Sequence, residues 1–137
     1  MSNIFVLDAC ALVALFKNED GADKVDEVYK KAENGEVELI INRVNLLEVY
    51  YGFYHDKGKD YADKLMESVE QSVVSISEFD KDIFPFAGRL KATYRISLAD
   101  SIALAQAIIV NGELLTADHH EFDALDGVEP IKFLWIR

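Results

Sequence analysis

The chain has 137 residues, of which 50% are hydrophobic and 28% are charged. This composition excludes a disordered chain and predicts one globular domain that covers residues 1–137. Cys10 is the only cysteine, so a disulfide-stabilised scaffold is excluded as well. Because the apolar runs are too short to span a bilayer and the amino terminus lacks the order of a signal peptide, we expect a cytoplasmic protein without membrane contacts.

The net charge of −11 counts against general nucleic-acid binding, because proteins that bind polyanions usually carry a basic face. Net charge can still be skewed locally if acidic residues cluster at a metal site. Charge therefore limits long-range attraction and leaves the fold open.

Short apolar runs alternate with segments of helical periodicity along the whole chain. The first run, 4–7, consists of four large apolar residues and predicts a central strand that is buried on both faces. The other predicted strands are 38–41, 72–76, 113–116 and, possibly at an edge of the sheet, 131–136. The predicted helices are 9–17, 22–32, 44–54, 61–70, 82–94 and 97–109. This alternation predicts a three-layer α/β/α sandwich with a mainly parallel sheet of about five strands.

Two aspartates follow predicted strands, where parallel sheets bind their ligands. Asp8 comes directly after the first strand, and Asp118 comes shortly after the fourth. Each has an alternative explanation as a helix N-cap, with Glu121 as the capping partner of Asp118. The adjacent His119 and His120 are expected to be exposed.

Two further acids are marked by their helices. Asp100 lies near the start of an apolar, internal helix, and Ser97 three residues earlier matches a capping box, which does not exclude a role in a site. Glu48 shares a helix face with Val44, Leu47 and Tyr51. A buried carboxylate requires a partner or a metal, whereas a glutamate at the rim of the apolar face does not.

In a parallel sheet, these four acids can converge at one edge. Neighbouring carboxylates repel one another, and a cation allows all of them to stay ionised. Oxygen ligands favour Mg²⁺ or Mn²⁺, and one or two such ions can activate water for phosphodiester hydrolysis. The pattern therefore favours a metal-dependent hydrolase.

Four short motifs in this order resemble those of PIN-domain ribonucleases, particularly the VapC-like toxins of type II toxin–antitoxin pairs. They are Val6-Leu7-Asp8-Ala9-Cys10-Ala11-Leu12, Asn45-Leu46-Leu47-Glu48-Val49-Tyr50-Tyr51-Gly52, Ser97-Leu98-Ala99-Asp100-Ser101 and Leu115-Thr116-Ala117-Asp118. Cys10 departs from the family, which often has serine or threonine at this position.

The resemblance implies an endoribonuclease that depends on Mg²⁺ or Mn²⁺ and acts on an RNA substrate. It also implies a homodimer and a cognate antitoxin protein as partners. The metal-binding and catalytic residues implied are Asp8, Glu48, Asp100 and Asp118, with Thr116 as a supporting hydroxyl.

Four cations are candidates for RNA phosphate contacts, with ordinary solvated helix ends as the alternative. They are Arg43, Arg89, Lys91 and Arg95. A group of aromatic residues could form a groove for a partner or belong to the core; it comprises Tyr50, Tyr51, Phe53 and Tyr54.

Other functions remain open at this point. One alternative is a non-catalytic α/β module of the receiver type, in which the acids hold a regulatory cation. Another is a nuclease that acts on DNA, or an enzyme that hydrolyses small phosphoesters. A metal-dependent cleavage assay on RNA, DNA and small substrates distinguishes these possibilities.

Overall fold

A computed structural model describes residues 3–137 and contains one five-stranded sheet in the order β3-β2-β1-β4-β5. The strands are β1 (Ile4–Leu7), β2 (Glu38–Asn42), β3 (Ser75–Ser77), β4 (Glu113–Thr116) and β5 (Lys132–Trp135). All four strand pairings are parallel, so the carboxyl ends of the strands meet at one edge. The predicted central position of β1 is confirmed.

Helices cover both faces of the sheet, as the predicted sandwich requires. They are α1 (Ala9–Lys17), α2 (Ala22–Glu33), α3 (Arg43–Lys57), α4 (Lys59–Glu70), α5 (Ile83–Thr93), α6 (Leu98–Val110) and the short α7 (His119–Phe122). Within residues 3–137, no helix is long and apolar enough to cross a membrane.

Consecutive side chains of β1 enter two separate cores. Val6 packs with residues of α5 and α6, whereas Leu7 packs with residues of α1 to α4. Both side chains are fully buried. Because side chains alternate along a strand, a strand covered on both faces must be apolar at every position, and this explains its uninterrupted apolar sequence.

The third strand is shorter and begins later than predicted. The prediction of 72–76 was wrong at its start, since β3 covers Ser75–Ser77. Ser72 forms a turn instead: its Oγ donates to the carbonyl of Val69 at 2.6 Å and accepts from the N–H of Val74 at 3.1 Å. Such local side-chain hydrogen bonds compete with the strand ladder.

Candidate functional site

The carboxyl edge of the sheet carries an acidic cleft of about 460 Å³. Three of the four acids implied by the resemblance line it: Glu48 from α3, Asp100 from the first turn of α6, and Asp118 two residues after β4. The complete lining is Ala9, Cys10, Val13, Glu19, Glu48, Ser97, Asp100, Asp118 and Glu121. The topology therefore brings together residues that are distant in sequence.

The fourth acid, Asp8, is buried directly before the cleft residues Ala9 and Cys10. Its side chain is only 1% exposed. Oδ1 accepts a hydrogen bond from the N–H of Ala11 at 2.8 Å, so the N-cap predicted for this residue is present. Oδ2 has no hydrogen-bond partner among residues 3–137. A buried carboxylate oxygen without a partner is costly unless a proton or a cation compensates it.

The electrostatics of the cleft oppose ionisation of its carboxyl groups. Burial raises the pKa of Asp8 to about 7, although the neighbouring Thr116 hydroxyl and the Ala11 amide lower it in part. Burial, followed by the charge of Asp8, raises the pKa of Asp100 to about 7. Burial and the charge of Asp118 also raise the pKa of Glu48. Without a cation, the carboxyl groups of Asp8 and Asp100 are therefore partly protonated near neutral pH.

Glu121 belongs to this cluster and was missed as a site residue, since the sequence suggested only a capping partner. Carboxylate oxygens of Asp100, Asp118 and Glu121 all lie within 4.8 Å of one another. The N-cap predicted for Asp118 is present, because its Oδ1 accepts from the N–H of Glu121 at 3.1 Å. Glu121 is not the reciprocal capping partner: its Oε1 accepts from the N–H of Ser97, and the N–H of Asp118 donates to Thr116 Oγ1. The one signal in the sequence was that Glu121 lies three residues after Asp118, which places both carboxylates at the start of α7.

Thr116 is buried beside two of the acids. Its Oγ1 accepts a hydrogen bond from the N–H of Asp118 at 3.0 Å, and its hydroxyl also lowers the pKa of Asp8. This position suits the supporting hydroxyl that the resemblance implies. The functional role of Thr116 stays a prediction.

Cys10 lines the cleft as a half-buried thiol. Burial and the charge of Asp8 raise its pKa above the ordinary value of 9.0. The side chain is therefore a neutral thiol at pH 7, and it adds no further negative charge to the cleft.

Arg43, one of the predicted RNA contacts, is part of an ion-pair network. Its guanidinium Nη2 lies 2.7 Å from Glu78 Oε2, and Nη1 lies 3.6 Å from Glu70 Oε1. Arg43 does not line the acidic cleft.

The other three predicted cations belong to α5 and the segment after it. Arg89 pairs with Glu129 at 2.8 Å, while Lys91 and Arg95 are exposed. None of them lines the cleft. An RNA-binding role for these three residues and Arg43 stays a prediction.

The aromatic residues of α3 were predicted to belong either to the core or to a partner groove, and the structure places them in different environments. Phe53 belongs to the core, whereas Tyr51 and Tyr54 are exposed. Tyr50 is half-buried and lines an open groove of about 560 Å³ between α3 and α4. The exposure predicted for His119 and His120 is confirmed.

Several solved structures are similar to this chain in fold. A chain of VapBC2 from Rickettsia felis, bound to a promoter DNA fragment, is similar in fold with a TM-score of 0.75 and 21% identity over 96% of this chain and 97% of that one. A toxin–antitoxin complex from Klebsiella pneumoniae has a TM-score of 0.70 at 22% identity, covering 93% of this chain and 98% of its own. DNA-bound VapBC from Salmonella typhimurium has a TM-score of 0.74 at 14% identity, covering 97% and 98%.

No curated protein matches the sequence significantly. The family model described as PIN domain matches residues 5–128, which include every acid of the cleft. The resemblance to PIN-domain proteins is thereby confirmed. The chain belongs to the PIN-domain family.

Proposed function

We propose that this protein is a metal-dependent endoribonuclease and the toxin component of a toxin–antitoxin pair. PIN domains are nucleases, and the chain is a PIN domain, so hydrolysis of a nucleic acid is the starting point. The observation that carries the proposal is the convergence of Glu48, Asp100 and Asp118 in one cleft beside the buried Asp8.

The residues present fit a divalent cation. Asp8 Oδ2 is buried without a hydrogen-bond partner among residues 3–137, and burial together with neighbouring negative charges raises the pKa values of Glu48 and Asp100. All these candidate ligands are oxygen atoms, and Mg²⁺ and Mn²⁺ prefer oxygen to softer donor atoms such as sulfur. Asp8, Glu48, Asp100 and Asp118 would hold one or two ions.

When bound, Mg²⁺ or Mn²⁺ would supply an activated water for attack on phosphorus and would stabilise the departing oxygen. The chain itself fixes the positions of the ligands. The N–H of Ala11 donates to Asp8 Oδ1 and orients that carboxylate. Thr116 Oγ1 accepts from the main-chain N–H of Asp118 and so fixes the backbone that carries this ligand. Ligands held in this manner need little rearrangement during the reaction.

The test of this activity uses the purified chain and a labelled single-stranded RNA. Internal cleavage in Mg²⁺ or Mn²⁺ that stops in EDTA supports the proposal. Parallel reactions with single-stranded DNA and a small phosphodiester separate the alternative substrates. A folded, metal-binding preparation that cleaves none of these substrates would instead support a non-catalytic, cation-regulated module.

We also propose that an antitoxin binds the groove between α3 and α4. The similar structures from Rickettsia felis and Salmonella typhimurium are VapBC complexes, and the one from Klebsiella pneumoniae is a toxin–antitoxin complex. The groove has an apolar lining that includes Leu46, Leu47, Tyr50 and Met66. An amphipathic helix of the antitoxin would match this shape and polarity.

Co-purification with the product of the adjacent small reading frame tests this interaction. Leu47 is 55% exposed in the groove, and Leu47→Glu should abolish co-purification. Val128, which is 66% exposed outside the groove, provides the control Val128→Glu. Retention of the antitoxin by Leu47→Glu would reject this docking site.

The remaining parts of the proposal concern assembly and location. We propose a homodimer, which light scattering at several protein concentrations would detect as a doubled mass. A toxin that cleaves cellular RNA acts in the cytoplasm, and fractionation of cells that produce the protein tests that location.

A further inference from the structure

The acidic cleft creates an electrostatic problem for a polyanionic substrate. Five acids line it, namely Glu19, Glu48, Asp100, Asp118 and Glu121, and the whole chain carries a net charge of −11. Phosphates approaching this edge would meet repulsion that bound metal ions offset only locally. A cation at the rim of the cleft would provide the missing attraction.

Arg137 lies at this rim, two residues after β5. Its main-chain carbonyl accepts a hydrogen bond from His119 Nε2 at 2.9 Å, and His119 directly follows Asp118. Its guanidinium Nη1 donates to the carbonyl of Asp20 at 2.7 Å, and Asp20 follows the cleft residue Glu19. Contacts with the neighbours of two cleft residues thus fix its position.

The guanidinium of Arg137 remains available to bind an anion. It makes no ion pair with a carboxylate among residues 3–137, in contrast to Arg43 and Arg89. One N–H group donates to the carbonyl of Asp20, which leaves other donors of the planar group for a phosphate.

A second cation, Lys24, contacts the end of β5, two residues before Arg137. Lys24 Nζ donates to the carbonyl of Trp135 at 3.4 Å and forms no ion pair within the described part of the chain. The turn before α2 packs closely against this segment, since a Cβ on Gly21 would lie 2.6 Å from the carbonyl oxygen of Ile136. The end of the chain after β5 and the start of α2 are therefore packed together, and each contributes one of the two cations.

We propose that Arg137, together with Lys24, binds a backbone phosphate of the single-stranded substrate at the rim of the acidic cleft. This inference rests on the proposed function. It adds a substrate-binding site that lies apart from Arg43, Arg89, Lys91 and Arg95. Because the contact is to phosphate, it should not depend on base sequence.

Fluorescence anisotropy with a labelled single-stranded RNA in Ca²⁺ tests the contact, with RNA integrity checked on a gel. Arg137→Ala should raise the Kd about tenfold. It should also reduce the slope of log Kd against log salt concentration by the amount expected for one phosphate contact. Arg137→Lys should restore most of the affinity, since a positive charge remains. DNA of the same sequence should show the same relative loss.

Lys132→Ala is the matched control. Lys132 begins β5 and so lies at the amino-terminal end of the parallel strands, away from the cleft, and its removal changes the net charge equally. Its Kd should stay within twofold of wild type. An unchanged Kd for Arg137→Ala, equal losses in both variants, or no RNA binding by the wild type would overturn the inference. Cleavage is scored separately: RNA binding through Arg137 without metal-dependent cleavage would reject only the proposed activity.

Discussion

The main-chain N–H of Ser97 donates to Glu121 Oε1 at 3.1 Å and so connects the start of α6 to α7. In a complete capping box, the side chain of Asp100 would accept this hydrogen bond. Only half of the predicted box forms, in which Ser97 Oγ accepts from the N–H of Asp100 at 3.1 Å. Glu121 thereby leaves the Asp100 carboxylate in the cleft beside Asp118.

Replacing Glu121 separates its charge from its capping role. Glu121→Gln keeps an oxygen for the N–H of Ser97 but removes a negative charge from the cluster, so Mn²⁺ affinity should fall severalfold with little change in Tm. Glu121→Ala should also lower the free energy of unfolding by about 1 kcal/mol, because the Ser97 N–H loses its acceptor. Calorimetric titration and thermal melts measure both effects.

The exposed Glu36 supplies the control for that experiment. Glu36→Gln removes the same charge far from the cleft and should bind Mn²⁺ as the wild type does. Wild-type affinity in Glu121→Gln would show that the Glu121 carboxylate does not help to hold the metal.

Metal affinity should increase with pH around neutrality. Asp8 and Asp100 each have a pKa of about 7 in the metal-free protein, so protons compete with the cation below this pH. The Mn²⁺ association constant should rise by up to about tenfold per pH unit for each proton displaced, and it should level off above pH 8. Titrations between pH 6 and 8.5 check this; a flat profile would contradict it.

The buried Asp8 should destabilise the metal-free protein at alkaline pH. Its pKa rises from 3.8 to about 7 on folding, so the native state binds the proton more tightly than the unfolded state. Stability is therefore lost as pH rises from about 4 to 7, at a cost of up to about 4 kcal/mol. Asp8→Asn removes the charge and should be more stable than wild type at pH 8 in EDTA.

Urea denaturation at pH 4.5 and pH 8 measures this difference. The advantage of Asp8→Asn should be small at the lower pH, where the wild-type carboxyl group is protonated in the native state. Asp126→Asn, at an exposed position, should show no such pH-dependent gain. A metal-free Asp8→Asn protein that is less stable than wild type at pH 8 would argue against a charge penalty at this position.

Most of the fold follows from local sequence because both faces of the sheet are covered. A continuous apolar run marks β1, and the alternation of strands with helices restricts the sheet to a parallel arrangement. The start of β3 could not be predicted in this way. There, Ser72 binds main-chain groups in a turn, and the hydrophobic pattern does not record that competition.

The acids of the cleft were predictable because strand ends and helix starts meet at one edge of a parallel sheet. Glu121 was missed as a site residue because its position three residues after Asp118 is also that of a capping partner, and the capping explanation accounted for it fully. The environment of each cation was harder to predict, because ion pairs join residues that are distant in sequence. Arg89 meets Glu129, 40 residues away, whereas the isolated Arg137 approaches the cleft through main-chain contacts.

The central claim is that the clustered carboxylates support metal-dependent cleavage of RNA. Asp100→Asn preserves the shape of a residue that lines the cleft but removes its charge, and Asp126→Asn makes the same change outside it. We measure kcat/KM for single-stranded RNA in saturating Mn²⁺ for both variants, with circular dichroism as a check on folding. Asp100→Asn should lose at least about 100-fold, while Asp126→Asn should match wild type. Wild-type kcat/KM in a folded Asp100→Asn protein would contradict the account.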